Sequence, residues 1–388
     1  MAALQVAIVG GGFAGVSAAR ELARLLRGAP RPCRIVLVSD RPDFVFRPAL
    51  PWVVLGQRRL QDIQVPLSER MARAGVEVVI GAVEGISRRE GCVWLQRGGR
   101  LPYDYLIVAL GGRAHRPWPG AAEHTLDVLW PEPAFEAGQA IFQTVREKSR
   151  RTTSIAVVLA PGSPLYCPAY ETVLLLHDRL SRLGLRDRTR LHLLTAETAP
   201  FQWAGPAAAQ VVGPWLTRCG IEFHGGVEPA RFEADGVVLR QGGALRAERV
   251  VLFPPYRGPM ALQDLQGLVD REGFMVVTRS MRSAVDERIW AAGDVISAAG
   301  PKTGHLAENQ GVVAAREVAR TIRGDGAMAA WDSRLVCVMD GGGRDRGLLL
   351  MARPKPGEAE RPDTHVLAGP ALRWAKQVLE RYYLRFRV

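Results

Sequence analysis

Residues 5–20, QVAIVGGGFAGVSAAR, decide the fold class of this chain. A short apolar run is followed at once by a glycine turn and a helical segment, the order expected for a buried parallel strand that leads into a helix. Gly10, Gly12 and Gly15 have the spacing G-x-G-x-x-G. In such a unit the first glycine permits the turn, the second lets the backbone approach a pyrophosphate, and the third lets helix and strand pack closely. The stretch therefore predicts a dinucleotide-binding fold.

The residues that follow complete the unit. Residues 34–40, RIVLVSD, predict the second strand, and Asp40 stands at its end, where a carboxylate accepts hydrogen bonds from a ribose. The helix after the loop directs unpaired amides and a partial positive charge toward the phosphates. A glycine-rich turn without a ligand is the alternative, but the strand, helix and acid occur in the expected order.

A second α/β unit follows the first. An apolar strand at 154–160, a helix at 170–184 and a strand at 190–196 are predicted, and residues 249–258 and 289–295 give returning strands. We predict an α/β protein with two Rossmann-like domains and a small C-terminal region that ends in an amphipathic helix. The predicted limits are 1–112 and 246–325 for the first, discontinuous domain, 113–245 for the second, and 326–388 for the C-terminal region.

The bulk composition narrows the class of protein. The 388 residues carry a formal net charge of +12, which favours an anionic partner. Zinc-finger, basic-zipper and RNA-binding signatures are absent from the sequence, so nucleic acid is not the expected partner, and we predict no metal site. Five cysteines without a CxxC pair argue against a secreted disulfide scaffold. The start lacks a basic leader, and the chain has no run of 18 apolar residues, so we expect neither a signal peptide nor a spanning helix.

Seven short blocks resemble known flavoprotein sequences. Residues 103–112, YDYLIVALGG, and 288–295, RIWAAGDV, resemble the FAD fingerprints of the disulfide-reductase superfamily. Five further blocks resemble the family of sulfide:quinone oxidoreductases and flavocytochrome c sulfide dehydrogenases: SDRPDFVFRPALPWVVLG (39–56), PPYRGP (254–259), GPKTGHLAENQ (300–310), VCVMDGGG (336–343) and ALRWAKQVLERYYL (371–384). Each block is short, but the resemblance covers nearly the whole chain.

The resemblance implies an FAD site. The residues that it assigns to the cofactor are Gly10, Gly12, Phe13, Ala14, Gly15, Ser39, Asp40, Arg47, Ala82, Val83, Ala109, Gly111, Gly293, Asp294, Lys302, Thr303 and Gly304. Lys302 precedes a long helix, and a lysine together with that helix dipole would stabilise an anionic reduced flavin. A solvated loop lysine is the alternative.

The opening of the second unit lacks a nucleotide loop. Members of the superfamily that use NADH carry a second G-x-G-x-x-G there, but residues 162–171 are GSPLYCPAYE, with one glycine. Pro161, Pro164 and Pro168 remove backbone donors that a pyrophosphate needs. We therefore predict that the second unit keeps the architecture without the nicotinamide.

The resemblance assigns a redox disulfide to Cys167 and Cys337, beside the flavin, which sulfide would attack. It makes Glu171 a candidate proton carrier, against the alternative of a helix-start acid favoured by the dipole. Cys33, Cys92 and Cys219 are interpreted as small buried hydrophobes. The third cysteine of many sulfide:quinone enzymes is missing after residue 112, where His115 follows instead.

The tail, residues 371–388, combines an apolar helical stripe with five basic residues and one acid. A membrane-interface helix is favoured over a helix docked on the core or a dimer contact. Lys376 and Tyr382 are proposed to line a quinone entry. The expectation is a peripheral protein of the cytoplasmic membrane, face undetermined, that oxidises sulfide with FAD and reduces a membrane quinone. A cytochrome acceptor, an NADH:quinone reductase, a non-catalytic sulfur sensor and a homo-oligomer stay open.

Overall fold

The structure is a computed structural model that describes residues 3–29, 31–147, 151–344, 346–355 and 358–388. The strands are β1 Leu4–Val9, β2 Cys33–Ser39, β3 Asp43–Val45, β4 Gln64–Pro66, β5 Glu77–Ile80, β6 Val83–Ser87, β7 Cys92–Leu95, β8 Gly99–Pro102, β9 Tyr105–Val108, β10 Arg113–Ala114, β11 Thr153–Leu159, β12 Thr189–Thr195, β13 Ile221–Gly225, β14 Pro229–Glu233, β15 Gly236–Leu239, β16 Ala244–Arg246, β17 Arg249–Phe253, β18 Tyr256–Arg257, β19 Ile289–Ala291, β20 Leu335–Asp340, β21 Gly347–Lys355 and β22 Glu358–Ala368. The helices are α1 Phe13–Leu25, α2 Leu50–Val54, α3 Leu67–Arg73, α4 Ala121–His124, α5 Pro131–Glu147, α6 Tyr166–Arg182, α7 Pro206–Arg218, α8 Gly304–Arg323 and α9 Pro370–Tyr382.

The first sheet is parallel, with the order β19-β9-β1-β2-β5. Its central strands are apolar on both faces, as a sheet covered by helices requires. Helices α1 and α8 pack against each other on this sheet. A Cβ at Gly311 would lie 2.2 Å from the carbonyl oxygen of Ala14, so only glycine lets the two helices approach this closely.

The second sheet is also parallel, with the order β13-β12-β11-β17. Because β17 pairs with β11, residues 249–253 belong to this sheet, whereas we predicted that the first domain resumes at residue 246. The chain therefore returns to the first sheet after Phe253. The two parallel sheets, the first formed from strands on both sides of the second in sequence, confirm the predicted α/β class.

The C-terminal region forms the antiparallel sheet β20-β21-β22, followed by α9. Strand β20 packs against both α6 of the second unit and α9. This packing brings the start of α6, the strand β20 and the tail helix to one place. Among the described residues, no helix combines the length and the apolar character needed to cross a bilayer.

Candidate active site

The glycine loop between β1 and α1 has the geometry that the fingerprint requires. Gly10 has φ +118°, and a Cβ there would lie 2.1 Å from the carbonyl oxygen of Ala109. A Cβ at Gly15 would lie 1.8 Å from the carbonyl oxygen of Gly10. A Cβ at Gly12 would meet no protein atom within 4 Å, and this residue lines a cavity. The first and third glycines thus serve packing, while the second faces space that a pyrophosphate can occupy.

That cavity contains most of the predicted site. The predicted residues that line it are Gly12, Phe13, Ala14, Arg47, Ala109, Gly111, Cys167, Glu171, Gly293, Asp294, Lys302, Thr303, Gly304, Cys337 and Lys376. They come from both parallel sheets and from the C-terminal region, so the cavity exists only where all three meet.

Four predicted cofactor residues lie at or just beyond one edge of the first sheet. Ser39 ends β2 and Asp40 follows it, while Ala82 and Val83 come just after the neighbouring strand β5. The amide of Gly81 donates to the carbonyl of Ser39 at 2.8 Å, which holds the two strand ends side by side. Carboxyl ends of parallel strands form the ligand-binding edge of such a sheet, so this group fits the adenosine half of a dinucleotide.

Polar groups of the cavity fit a flavin dinucleotide. The half-buried Asp294 carboxylate has no hydrogen bond or ion pair to any described residue, and burial raises its pKa. An acceptor left without a partner needs a ligand donor, and the hydroxyls of a ribityl chain would supply one. Burial also lowers the pKa of the Lys302 ammonium, whose Nζ donates to the carbonyl of Ile296 at 2.7 Å. Arg47 donates to the Tyr256 hydroxyl at 3.1 Å on the same wall.

The structure brings Cys167 and Cys337 together although 170 positions separate them. Cys167 is the second residue of α6 and is buried, and Cys337 lies in β20 and is half-buried. Both are free thiols, and they lie close enough to interact. This interaction and then burial raise the pKa of the Cys167 thiol well above its ordinary value. Both cysteines line the same cavity as Gly12.

Glu171 stands one helical turn after Cys167 and forms a buried ion pair with Lys376 of α9. Its carboxylate also accepts a hydrogen bond from the Asp340 amide at 2.9 Å. Burial is the largest influence on this carboxyl, and it raises the pKa of Glu171 to about 7 even though Lys376 opposes it. A group with this pKa exchanges protons near neutral pH beside the two sulfurs.

Residues that the sequence did not single out support this ion pair. The Lys376 ammonium lies 4.7 Å from the centre of the Trp52 ring, and the Trp52 indole donates to Asp340 at 3.2 Å. Asp340 also accepts from Arg373 at 3.0 Å. These contacts fix α9 over the sulfur site. The available signal was their place in family-like blocks, since Trp52, Asp340 and Arg373 lie within residues 39–56, 336–343 and 371–384.

Tyr382, proposed with Lys376 for quinone entry, does not line the cavity. Its side chain is 45% exposed and packs near Phe386 with ring centroids 6.1 Å apart. The buried tyrosine is its neighbour Tyr383, whose ring lies 5.3 Å from that of Phe13 and whose hydroxyl bonds to Glu308. A helix that presents one tyrosine outward turns the next one inward, and the sequence pattern alone does not say which is which.

The turn that opens the second unit differs from the first glycine loop. Helix α6 begins at Tyr166, with Pro168 in its first turn. The Lys302 amide, from the loop before α8, approaches the carbonyl of Pro164 at 3.4 Å. The turn therefore packs against a loop of the first unit.

Comparison with known proteins agrees with this geometry. Residues 4–311 match the family model described as pyridine nucleotide-disulphide oxidoreductase. The sulfide-quinone reductase of Aquifex aeolicus is 26% identical, over 98% of this chain and 90% of its own length. The solved structure of the Aquifex aeolicus sulfide:quinone oxidoreductase superposes with a TM-score of 0.89 at 25% identity, covering 98% of this chain and 91% of that one.

The chain is also similar to a dehydrogenase-like protein. An NADH dehydrogenase-like protein of Mycobacterium tuberculosis is 29% identical over 76% of this chain and 73% of its own length. Members of the matched family are flavoprotein oxidoreductases, and the residues described above fit FAD, so FAD is the cofactor of this chain. The chain belongs to the pyridine nucleotide-disulphide oxidoreductase family, and within it the chain resembles sulfide:quinone oxidoreductases over nearly its whole length.

Proposed function

We propose that this protein oxidises sulfide at a redox pair formed by Cys167 and Cys337 and passes the electrons through FAD to a membrane quinone. The observation that carries the proposal is the contact between these two thiols on the wall of the dinucleotide cavity. Cys33 is half-buried at the start of β2, and Cys92 and Cys219 are buried away from this cavity, which supports a structural role for all three.

The sulfur step is a thiol–disulfide exchange. Hydrosulfide attacks one sulfur of the Cys167–Cys337 disulfide, a new S–S bond forms, and the disulfide bond breaks. One cysteine then carries a persulfide and the other is a thiolate. Bound flavin would supply the two-electron acceptor for this pair. When the thiolate and the persulfide anion give up two electrons, the disulfide re-forms and the outer sulfur leaves at the oxidation level of zero. Overall, hydrosulfide and one proton react with quinone to give sulfur at the oxidation level of zero and quinol.

Glu171 and Lys376 are suited to support this chemistry. The Lys376 ammonium faces the same cavity and lowers the cost of a thiolate at Cys167. Glu171 changes protonation near pH 7, so it is able to take up the hydrosulfide proton or deliver one toward the acceptor. Glu171 and Lys376 form one buried pair. Proton transfer by Glu171 and stabilisation of the thiolate by Lys376 would therefore occur at the same place.

Quinone as the acceptor is supported by the face that the tail leaves exposed. We define the tail face as the outward apolar side chains Trp374, Val378, Leu379, Tyr382 and Phe386, which are 36–68% exposed. The inward side of α9 carries charges instead, through the pairs Lys376–Glu171, Arg58–Glu380 and Arg373–Asp340. An apolar face with aromatic rings and flanking arginines suits a membrane interface, from which a quinone would reach the cavity near Lys376.

The test is anaerobic addition of sulfide to the FAD-loaded protein while the flavin absorbance is recorded. We expect the visible flavin absorbance to bleach and to recover when a short-chain quinone is added. Cys167→Ser and Cys337→Ser should each abolish sulfide-dependent bleaching, because neither can form the disulfide. Cys33→Ser is the matched control and should bleach like the parent protein.

Other outcomes select the alternatives. Bleaching in both serine variants at the parental rate would remove the disulfide from the proposal. Recovery with a cytochrome and not with quinone would favour the flavocytochrome-type acceptor. A spectrum that responds to sulfide without turnover would favour a sulfur sensor.

A further inference from the structure

A second cavity, separate from the flavin site, lies between α1, α3, α8 and the segment after α9. Its volume is about 550 Å³, which is within the range of small-molecule sites. Seven of the thirteen residues that line it are arginines. We name it the arginine cleft.

Carboxylates balance only part of this charge. Arg24 pairs with Glu21 at 2.9 Å, and Arg387 pairs with Glu308. Arg73 pairs with Glu69 on the exposed surface of α3. Exposed pairs of this kind contribute little and exchange readily with other anions.

The other four arginines, Arg20, Arg27, Arg70 and Arg385, have no ion pair within the part of the chain that the structure describes. The Arg70 guanidinium donates to the Arg385 carbonyl at 3.1 Å, which ties α3 to the tail. Burial, and then the positive charges of Arg387 and Arg70, lower the pKa of the Arg20 guanidinium. The cleft therefore holds more arginines than carboxylates, and its positive charges lie close together. A bound anion would relieve their repulsion.

The rim of the cleft identifies the kind of anion. Phe386 lines the cleft and is 59% exposed, and its ring lies 6.1 Å from that of Tyr382 on the tail face. Guanidinium groups bind phosphate in bidentate fashion, and the aromatic rings beside them suit acyl chains. A free phosphate would use only the charged part of this surface.

We propose that the arginine cleft binds the phosphate of an anionic membrane phospholipid, with Arg20 and Arg70 at its centre. This assignment rests on the proposed membrane docking of the tail face. The lipid would orient the protein so that the mouth of the flavin cavity near Lys376 faces the bilayer that supplies quinone.

The experiment compares sedimentation of the FAD-loaded protein with two kinds of vesicle, phosphatidylcholine alone and equal parts of phosphatidylcholine and phosphatidylglycerol. The site variant is Arg20→Gln/Arg70→Gln. The matched control is Arg240→Gln/Arg246→Gln, which removes the same charge from exposed positions of the β14–β16 region. We expect the site variant to lose at least about tenfold in affinity for the mixed vesicles, and the control to keep most of it.

Each outcome has a separate meaning. If the parent protein binds neither vesicle, the membrane docking itself fails. If it binds both vesicles equally, or if site and control variants lose affinity equally, docking stands and the cleft proposal is overturned. If Arg20→Gln/Arg70→Gln weakened the binding of inorganic phosphate, measured by calorimetry, but not the binding of mixed vesicles, the cleft would be a free-phosphate site and the lipid assignment would be overturned. Flavin absorbance verifies folding, and Arg27→Gln/Arg385→Gln replaces the site variant if that variant loses FAD.

Discussion

At the scale of single residues, Gly12 and Gly15 have different tasks although they belong to one motif. Gly12 has φ −86° and ψ −167°, values that alanine adopts without strain, and its Cβ would point into the flavin cavity. We therefore expect Gly12→Ala, without FAD, to have the same melting temperature as the parent protein without FAD. The variant should bind FAD at least about tenfold more weakly, because the added methyl group occupies ligand space. The ratio of flavin to protein absorbance after gel filtration measures the binding.

Gly15→Ala is the companion variant. Its Cβ would lie 1.8 Å from the Gly10 carbonyl oxygen, so the clash is within the protein itself. We expect a destabilisation of about 3 kcal/mol or more, or failure to fold. If Gly12→Ala lost stability to the same degree as Gly15→Ala, the second glycine would not face ligand space as described.

Glu171 gives a prediction about pH. Its pKa is about 7 in the folded protein and about 4.3 in an unfolded chain, so the folded state keeps a proton that the unfolded state releases between these values. Its contribution to the free energy of unfolding is fully present below about pH 4 and is lost as the pH rises through 7, by about 4 kcal/mol. Sulfide itself titrates near neutrality, so stability separates the effect of Glu171 from that of the substrate better than a rate does.

The measurement is the melting temperature of the parent protein and of Glu171→Gln between pH 5 and pH 8. The substitution leaves Lys376 without its counter-ion at every pH, which gives a nearly constant offset. Beyond that offset, the melting temperature of the parent should fall by roughly 5 °C relative to that of the variant as the pH rises. Parallel curves would contradict the raised pKa.

At the scale of elements, α9 attaches by its charges and exposes its apolar side chains. Trp374 and Val378 are 68% and 63% exposed, so Trp374→Gln/Val378→Gln should leave the fold unchanged. We expect the double variant to bind neutral phosphatidylcholine vesicles about a hundredfold more weakly, because two large apolar side chains no longer enter the interface. Vesicle sedimentation measures the loss. Trp94→Gln, which removes a 38% exposed tryptophan from β7, is the control, and an equal loss there would contradict a role specific to the tail.

The same helix marks the limit of what the sequence predicts. Periodicity shows that residues 371–388 have two faces, but it does not say which face docks, because that depends on partners far away in the chain. Lys376 is buried only because Glu171 lies opposite it, 205 positions earlier. The glycine loop, by contrast, was predictable in full, since its strand, turn and helix are contiguous and its geometry is local.

At the scale of the whole molecule, the sulfur site exists because three parts of the chain meet. The first sheet supplies the dinucleotide loop, the second supplies Cys167 at the start of α6, and the C-terminal region supplies Cys337 and Lys376. Spacing within the sequence could not pair two cysteines from different parts of the molecule, and the pairing came from family resemblance. The return point after Phe253 was missed for a related reason, since an apolar strand fits either parallel sheet equally well.

The final prediction concerns the donor that the assembled molecule accepts. The second sheet has the architecture of a nicotinamide domain, but the turn after β11 has one glycine, and its Pro164 carbonyl packs against the Lys302 amide of the first unit. NADH therefore lacks the amide cradle that a second glycine loop would supply. Under anaerobic conditions we expect NADH to leave the flavin absorbance unchanged. Sulfide, added afterwards to the same cuvette, should bleach the flavin fully over the same length of time. Bleaching by NADH at a rate comparable to that with sulfide would instead place this chain with its NADH dehydrogenase-like relatives in function. The two donors thus separate the candidate functions in one sample, without any variant that has to fold.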